Sequence, residues 1–130
     1  MKKDQLNKLS GIILDASIEV HRNLGPGLLE SVYEHCLMKE LLNRGIKAER
    51  QVPLPVFYKD EKLDIGFRAD ILVEDAIIIE LKSVREVDEI HRAQIITYLK
   101  ITGNKLGLLI NFNVRRLIDG YERFVNGIDD

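Results

Sequence analysis

Three consecutive isoleucines, Ile77-Ile78-Ile79, within the stretch Ala76 to Lys82 constrain this chain more than any other feature. Successive side chains of a strand point to opposite faces, so a strand that is apolar at every position must be covered on both. It belongs at the centre of a sheet with helices packed on it, an α/β arrangement. The flanking patterns supply the other layers. Leu6, Leu9, Ile13, Ala16 and Val20 follow the rhythm of one buried helical stripe, which Asn23-Leu24-Gly25-Pro26-Gly27 breaks. A second helix is expected from about Leu28 to Arg44. Leu29, Val32, Cys36, Met38, Leu41 and Leu42 form its apolar side, and Gly45 is its stop.

From Glu49 the period shortens to that of strands. Val52, Leu54, Val56 and Tyr58 alternate, while Pro53 and Pro55 cannot donate ladder hydrogen bonds and push this segment to a sheet edge. Lys59-Asp60-Glu61-Lys62 reads as a turn, and Phe67 to Val73 as the next strand. Asp88 can cap a helix running to about Ile101, which Thr102-Gly103-Asn104 ends; Leu106 to Phe112 and Tyr121 to Val125 are further strands. Strand, helix, strand predicts a parallel right-handed crossover. The predicted order is two helices, a three-strand antiparallel meander, a crossover helix and closing strands.

The 130 residues fit one domain, 1–130, able to bury a core without disulfide or metal staples. The single cysteine, Cys36, allows no internal disulfide, and Met1-Lys2-Lys3 leads into Asp4-Gln5 instead of an apolar signal segment. A cytoplasmic protein is expected, and no run approaches the roughly 18 to 20 apolar residues of a membrane span. With 19 basic and 21 acidic side chains, net charge −2, bulk positive charge cannot be what grips a nucleic acid.

Chemistry concentrates where the isoleucine strand ends. Glu80 and Lys82, two residues apart, project from one face, and Asp70 sits amid apolar residues of the preceding strand. In a hairpin, facing residues have a constant sum, so Asp70 meets Glu80 only if Val73 faces Ile77. That requires Glu74 to Ala76 outside the ladder, or a bulge beside Asp70; a two-residue turn would send the two acids to opposite faces. Two readings of the three charges stay open at this point. They can form a site for a hard cation, which prefers oxygen ligands, with the lysine positioning an attacking water. Equally, they can form an ion-pair cluster that closes the sheet.

Asp70, then Glu80-Leu81-Lys82, then Gln94 and Tyr98 on the next helix resemble the PD-(D/E)XK nuclease superfamily, in particular members with an added Q-x-x-x-Y motif. Gly27-Leu28-Leu29-Glu30-Ser31-Val32-Tyr33 resembles the signature of its GxxExxY proteins. Val20 to Gly27, Gln51-Val52-Pro53-Leu54 and Gly107 to Phe112 also look like that family, so the resemblance runs from about Ile12 through Val125. It implies a restriction-endonuclease-like core of helix, three antiparallel strands, crossover helix and closing strand, here with an extra N-terminal helix. It implies Mg²⁺, with Mn²⁺ as substitute, held by Glu30, Asp70 and Glu80, and hydrolysis of phosphodiester bonds in DNA or another nucleic acid. The catalytic set is then Glu30, Asp70, Glu80, Lys82, Gln94 and Tyr98. From its own position Glu30 is a solvated acid near a helix N-terminus; the resemblance is what gives it a place in the metal shell. Two departures stand out: Ala69 precedes Asp70 where the superfamily has proline, and Glu122-Arg123 stands where the family has Lys-Arg.

Charge changes sign across this region. Residues 60–80 carry seven acids against two bases, and residues 82–116 carry seven bases against three acids. Arg85, His91, Arg92, Arg115 and Arg116 are the candidate nucleic-acid contacts, with Lys82, Lys100 and Lys105 along the same track; the bland alternative is solvated surface. His21, His35, His91 and Cys36 lack zinc spacing, and no P-loop, Rossmann or nucleophile-elbow motif occurs. The rival functions are a catalytically silent binding module of the same fold and a structural ion-pair cluster in an interaction protein. Target selection could come from a homodimer or a partner.

Overall fold

The computed structural model describes residues 1–127. Helix α1 (Lys3–Leu24) and helix α2 (Glu30–Asn43) precede strands β1 (Ala48–Tyr58), β2 (Glu61–Val73) and β3 (Ile77–Lys82). Helix α3 (Glu89–Thr102) then leads to β4 (Leu106–Asn111), a 3-10 turn (Leu117–Gly120) and β5 (Tyr121–Val125). The strands lie in chain order in one sheet, antiparallel except for the parallel pair β3 and β4. The crossover and the central isoleucine strand are therefore as predicted: Ile77, Ile78 and Ile79 are all 0% exposed, flanked by β2 and β4.

Two apolar layers hold the sheet. On one side the α1 stripe of Leu6, Leu9, Ile13, Ala16 and Val20 packs with Tyr33, Leu37 and Leu41 of α2 over Ile71, Ile77, Ile79, Leu108 and Ile110. On the other, Leu99 and Tyr98 of α3 cover Ile78, Ala69, Leu54 and Phe67. Gly107 of β4 lets α3 approach, because a Cβ there would sit 3.0 Å from the Ile95 side chain.

Helix α2 turns only part of its expected apolar side inward: Leu41 is buried and Cys36 and Met38 pack against the core. Leu29, Val32 and Leu42 are exposed, whereas Tyr33, Glu34, Leu37 and Leu41 are buried. The reason is that the two polar members are satisfied inside. The Tyr33 ring stacks on Phe112 with centroids 4.4 Å apart, its hydroxyl donates to Gly25 O at 2.6 Å, and the Leu28 N–H donates to it at 3.1 Å. A tyrosine with a partnered hydroxyl buries as well as a phenylalanine. It also ties down the Gly25–Leu28 turn, where Gly25 (φ 70°) and Gly27 (φ 95°) adopt conformations unfavourable to other residues.

The β1–β2 hairpin is longer than the sequence suggests. Only Lys59 and Asp60 form its turn, both at positive φ (51° and 65°), and Tyr58 pairs with Glu61; β2 thus begins at Glu61, not Phe67. The ribbon also reverses its faces midway. Ala48, Ile71 and Val73 join the α1/α2 layer, but Val52, Leu54, Phe67 and Ala69 join the α3 layer. The register is the same on both sides of the reversal, Arg50↔Ile71 and Val52↔Ala69, so the cause is a local twist and not a slip. It falls at Gln51 and Asp70, where Gln51 has φ 53°.

Candidate functional site

Strand β3 has two different ends. Val73↔Ile77, Leu72↔Ile78 and Ile71↔Ile79 are its only pairs with β2, and Glu74 to Ala76 lie outside the ladder, as the facing of the two acids requires. Continuing that register sets Asp70 opposite Glu80. Beyond Ile79 the strands part, while β3 stays paired with β4 as far as Lys82↔Asn111. A side chain takes over the missing ladder bond: the Leu81 N–H donates to Asp70 Oδ2 at 2.8 Å. The opening holds the acids with little solvent. Burial, more than any other effect, raises the Asp70 carboxyl above its ordinary range. Burial and then the Asp70 charge push Glu80 up to about 8. Glu80 Oε1 is buried without a hydrogen-bond partner, and an orphaned carboxylate oxygen beside a second carboxylate is a place for a proton or a cation.

Lys82 is half-buried on the same strand, and its positive charge is felt by both acids. It enters no direct ion pair among the described residues, so its charge acts on the two acids without a contact to either.

Helix α2 contributes an acid the sequence reading passed over. Glu34, 5% exposed, accepts from Arg50 Nε and Nη2 at 3.0 and 2.7 Å through Oε2, and from Gln51 Nε2 at 2.7 Å through Oε1. The same Gln51 nitrogen reaches Asp70 Oδ1 at 3.4 Å. Glu34 is one of the groups whose charge raises Asp70. Its one sequence signal was its spacing from Glu30, which places both on one helix face. Glu30 itself, expected with Asp70 and Glu80 in a three-acid set, is exposed, and its Oε2 accepts from the Ser83 N–H at 3.3 Å. Among the described residues no group of three carboxylate, imidazole or thiolate side chains is poised to hold a metal ion. What stands ready is the Asp70–Glu80 pair. That pair suits a small hard divalent cation, which takes one or two carboxylates and completes its shell with water and substrate phosphate.

Helix α3 brings Tyr98 to the site. Its ring stacks on Phe67 at 3.7 Å, and burial followed by the Glu80 and Asp70 charges raises its hydroxyl above the usual range. Gln94 is exposed one turn nearer the helix start. His91 has a local task, accepting the Asp88 N–H on Nδ1 at 3.2 Å in the first turn of α3. Arg92, a candidate phosphate contact, is engaged by carboxylates instead. Its guanidinium binds both oxygens of Glu122 at 2.8 to 3.1 Å and also Glu89, and these acids hold its proton more firmly than usual. A guanidinium with its fork filled by carboxylates has little left for phosphate. Glu122, one of the two departures from the family pattern, thus has a visible partner. Arg85, Arg115 and Arg116 are exposed and outside any ion pair among the described residues; Arg116 borders a hollow with Ile18 and Arg22 of α1. Behind the site, buried Asn111 staples the segment after β3: it donates to Val84 O at 2.9 Å and accepts the Val84 N–H at 3.1 Å.

An α/β domain with helices on both faces of a five-stranded mixed sheet, and an acidic opening beside its central strand, is of the restriction-endonuclease-like class. A family model described as PD-(D/E)XK nuclease superfamily matches residues 7–124, and the chain belongs to that superfamily. Nucleases of this superfamily generally use divalent metal ions. No curated protein and no solved structure gives a significant match. No helix among the described residues is long and apolar enough to cross a membrane.

Proposed function

We propose that the chain is a Mg²⁺-dependent nuclease that hydrolyses phosphodiester bonds in DNA or another nucleic acid. The observation that carries this reading is the meeting of the Asp70 and Glu80 carboxyls at the open end of β3, each felt by the other, with a buried oxygen of Glu80 left without a hydrogen-bond partner among the described residues. When bound there, a divalent cation would supply charge stabilisation on the phosphate oxygens and a more acidic water. The chain's own residues do the rest. Asp70 and Glu80 hold the cation, and Glu30 completes the shell through water. Lys82, outside any ion pair among the described residues, orients the attacking water and offsets charge on the phosphate. The Tyr98 hydroxyl and Gln94 amide offer donors to a phosphate or base, and Arg85, Arg115 and Arg116 supply backbone contacts. A homodimer would present two such sites, and a reducing cytoplasm suits the free thiol of Cys36.

The test is cleavage of single- and double-stranded substrates with Mg²⁺ or Mn²⁺. The natural chain should cut, chelation should stop it, and Lys82→Ala should slow it by about 10²-fold or more. Equal cleavage by Lys82→Ala would overturn the assignment.

A further inference from the structure

Gln51 is unusual twice over. Its backbone has φ 53° in the middle of a strand, a conformation that costs a non-glycine residue and persists only where the surroundings impose it. Its side chain lies between two carboxylates, Glu34 Oε1 at 2.7 Å and Asp70 Oδ1 at 3.4 Å. Only the NH2 side of an amide can meet two carboxylate oxygens, so both of its hydrogens are committed. On the far side, Glu34 Oε2 is held by Arg50, which fixes Glu34 and, through it, the amide.

We infer that Gln51 is a positioning residue for metal binding: it sets the rotamer of Asp70 by tying that carboxylate to the anchored Arg50–Glu34 pair. This rests on the proposed cation site. Each Asp70 oxygen accepts one bond, Oδ2 from the Leu81 N–H and Oδ1 from Gln51, and each keeps a lone pair for a cation; Gln51 is the side chain that fixes how the carboxylate is turned. The amide also places a donor between Glu34 and Asp70, two like charges on adjoining elements. The positive φ follows from the same demand. The ribbon must turn over at this point for Asp70 to face Glu80 while Ala69 and Phe67 pack under α3, and Gln51 is where the turning occurs.

Backbone and side chain can be separated by substitution. Gln51→Met keeps the length and removes the amide. Gln51→Gly removes the amide and also the conformational cost. Mn²⁺ binding by calorimetry and thermal unfolding of the metal-free chain are measured for both and for the natural chain. The expected result is Mn²⁺ affinity about 10-fold or more weaker in both variants, the scale of a lost partner behind a metal ligand. Gln51→Gly should meanwhile unfold at a temperature no lower than Gln51→Met, a stability order that does not track affinity. Mn²⁺ affinity unchanged in Gln51→Met overturns the inference and leaves the cation site standing. No Mn²⁺ binding by the natural chain overturns the cation site itself.

Discussion

Within the six residues of β3 the two halves are built on opposite principles. Ile77 to Ile79 are paired on both edges, covered on both faces and wholly buried. Glu80 to Lys82 keep the β4 edge but lose β2, and the space this frees holds ionisable groups that no apolar layer would accept. The first half contributes stability; the second half costs stability and holds the acids of the proposed cation site. One geometric event separates them, the divergence of β2 from β3, and Asp70 secures it by taking the Leu81 N–H that the ladder abandons.

The largest effect should come from the covered half. Ile77→Ala removes a fully buried side chain and should cost about 2–5 kcal/mol in urea unfolding, while Mn²⁺ binding to the folded fraction stays unchanged. The open half should behave in the opposite sense. Because the Glu80 carboxyl rises from 4.5 to about 8 on folding, the folded chain keeps a proton that the unfolded chain releases. Metal-free stability is therefore greatest below about 4.5 as far as this group is concerned, and falls as pH rises towards about 8, by an order of a few kcal/mol. Glu80→Gln should flatten that fall and make the metal-free chain more stable at pH 9 than the natural one. Denaturant midpoints at pH 5, 7 and 9 check the sign.

Between these lies the staple behind the site. Asn111→Ala leaves the Val84 backbone groups without their partner and should cost about 1–3 kcal/mol, with the loss seen in amide exchange of residues 83–85. The smallest effect concerns the arginines. Arg92→Ala should leave the salt dependence of DNA binding unaltered, because Glu122 and Glu89 already hold its guanidinium. Arg85→Ala, removing an exposed cation, should lower the slope of log affinity against log salt by about 1.

Much of this contrast was legible in the residues. The α1 stripe, the central strand, the proline-marked edge and the crossover follow from period and composition, since apolar spacing directly encodes which side is buried. The meeting of Asp70 and Glu80 was legible through counting, because register in a hairpin is arithmetic once the loop length is known. The inner face of α2 was legible only in part, through Cys36, Met38 and Leu41. Tyr33 and Glu34 look polar, and their burial depends on Gly25 O, Arg50 and Gln51, partners that only the tertiary structure brings near. For the same reason the part played by Glu34 went unread, Gln51 entered only within a family-like stretch, and Arg92 was read as a phosphate contact without its carboxylate partners in view. The turnover of the β1–β2 ribbon at Gln51 also left no mark in the pattern, because Val52 and Leu54 alternate regularly after the twist just as they would without it.

The most direct measurement of the central claim is the rise in unfolding temperature on adding Mn²⁺ at pH 8.5, in the natural chain and in Glu80→Gln. If Asp70 and Glu80 together form a cation site, the ion stabilises the natural chain by mass action and leaves Glu80→Gln nearly unmoved. An equal rise in both proteins, or none in the natural chain, would contradict the account.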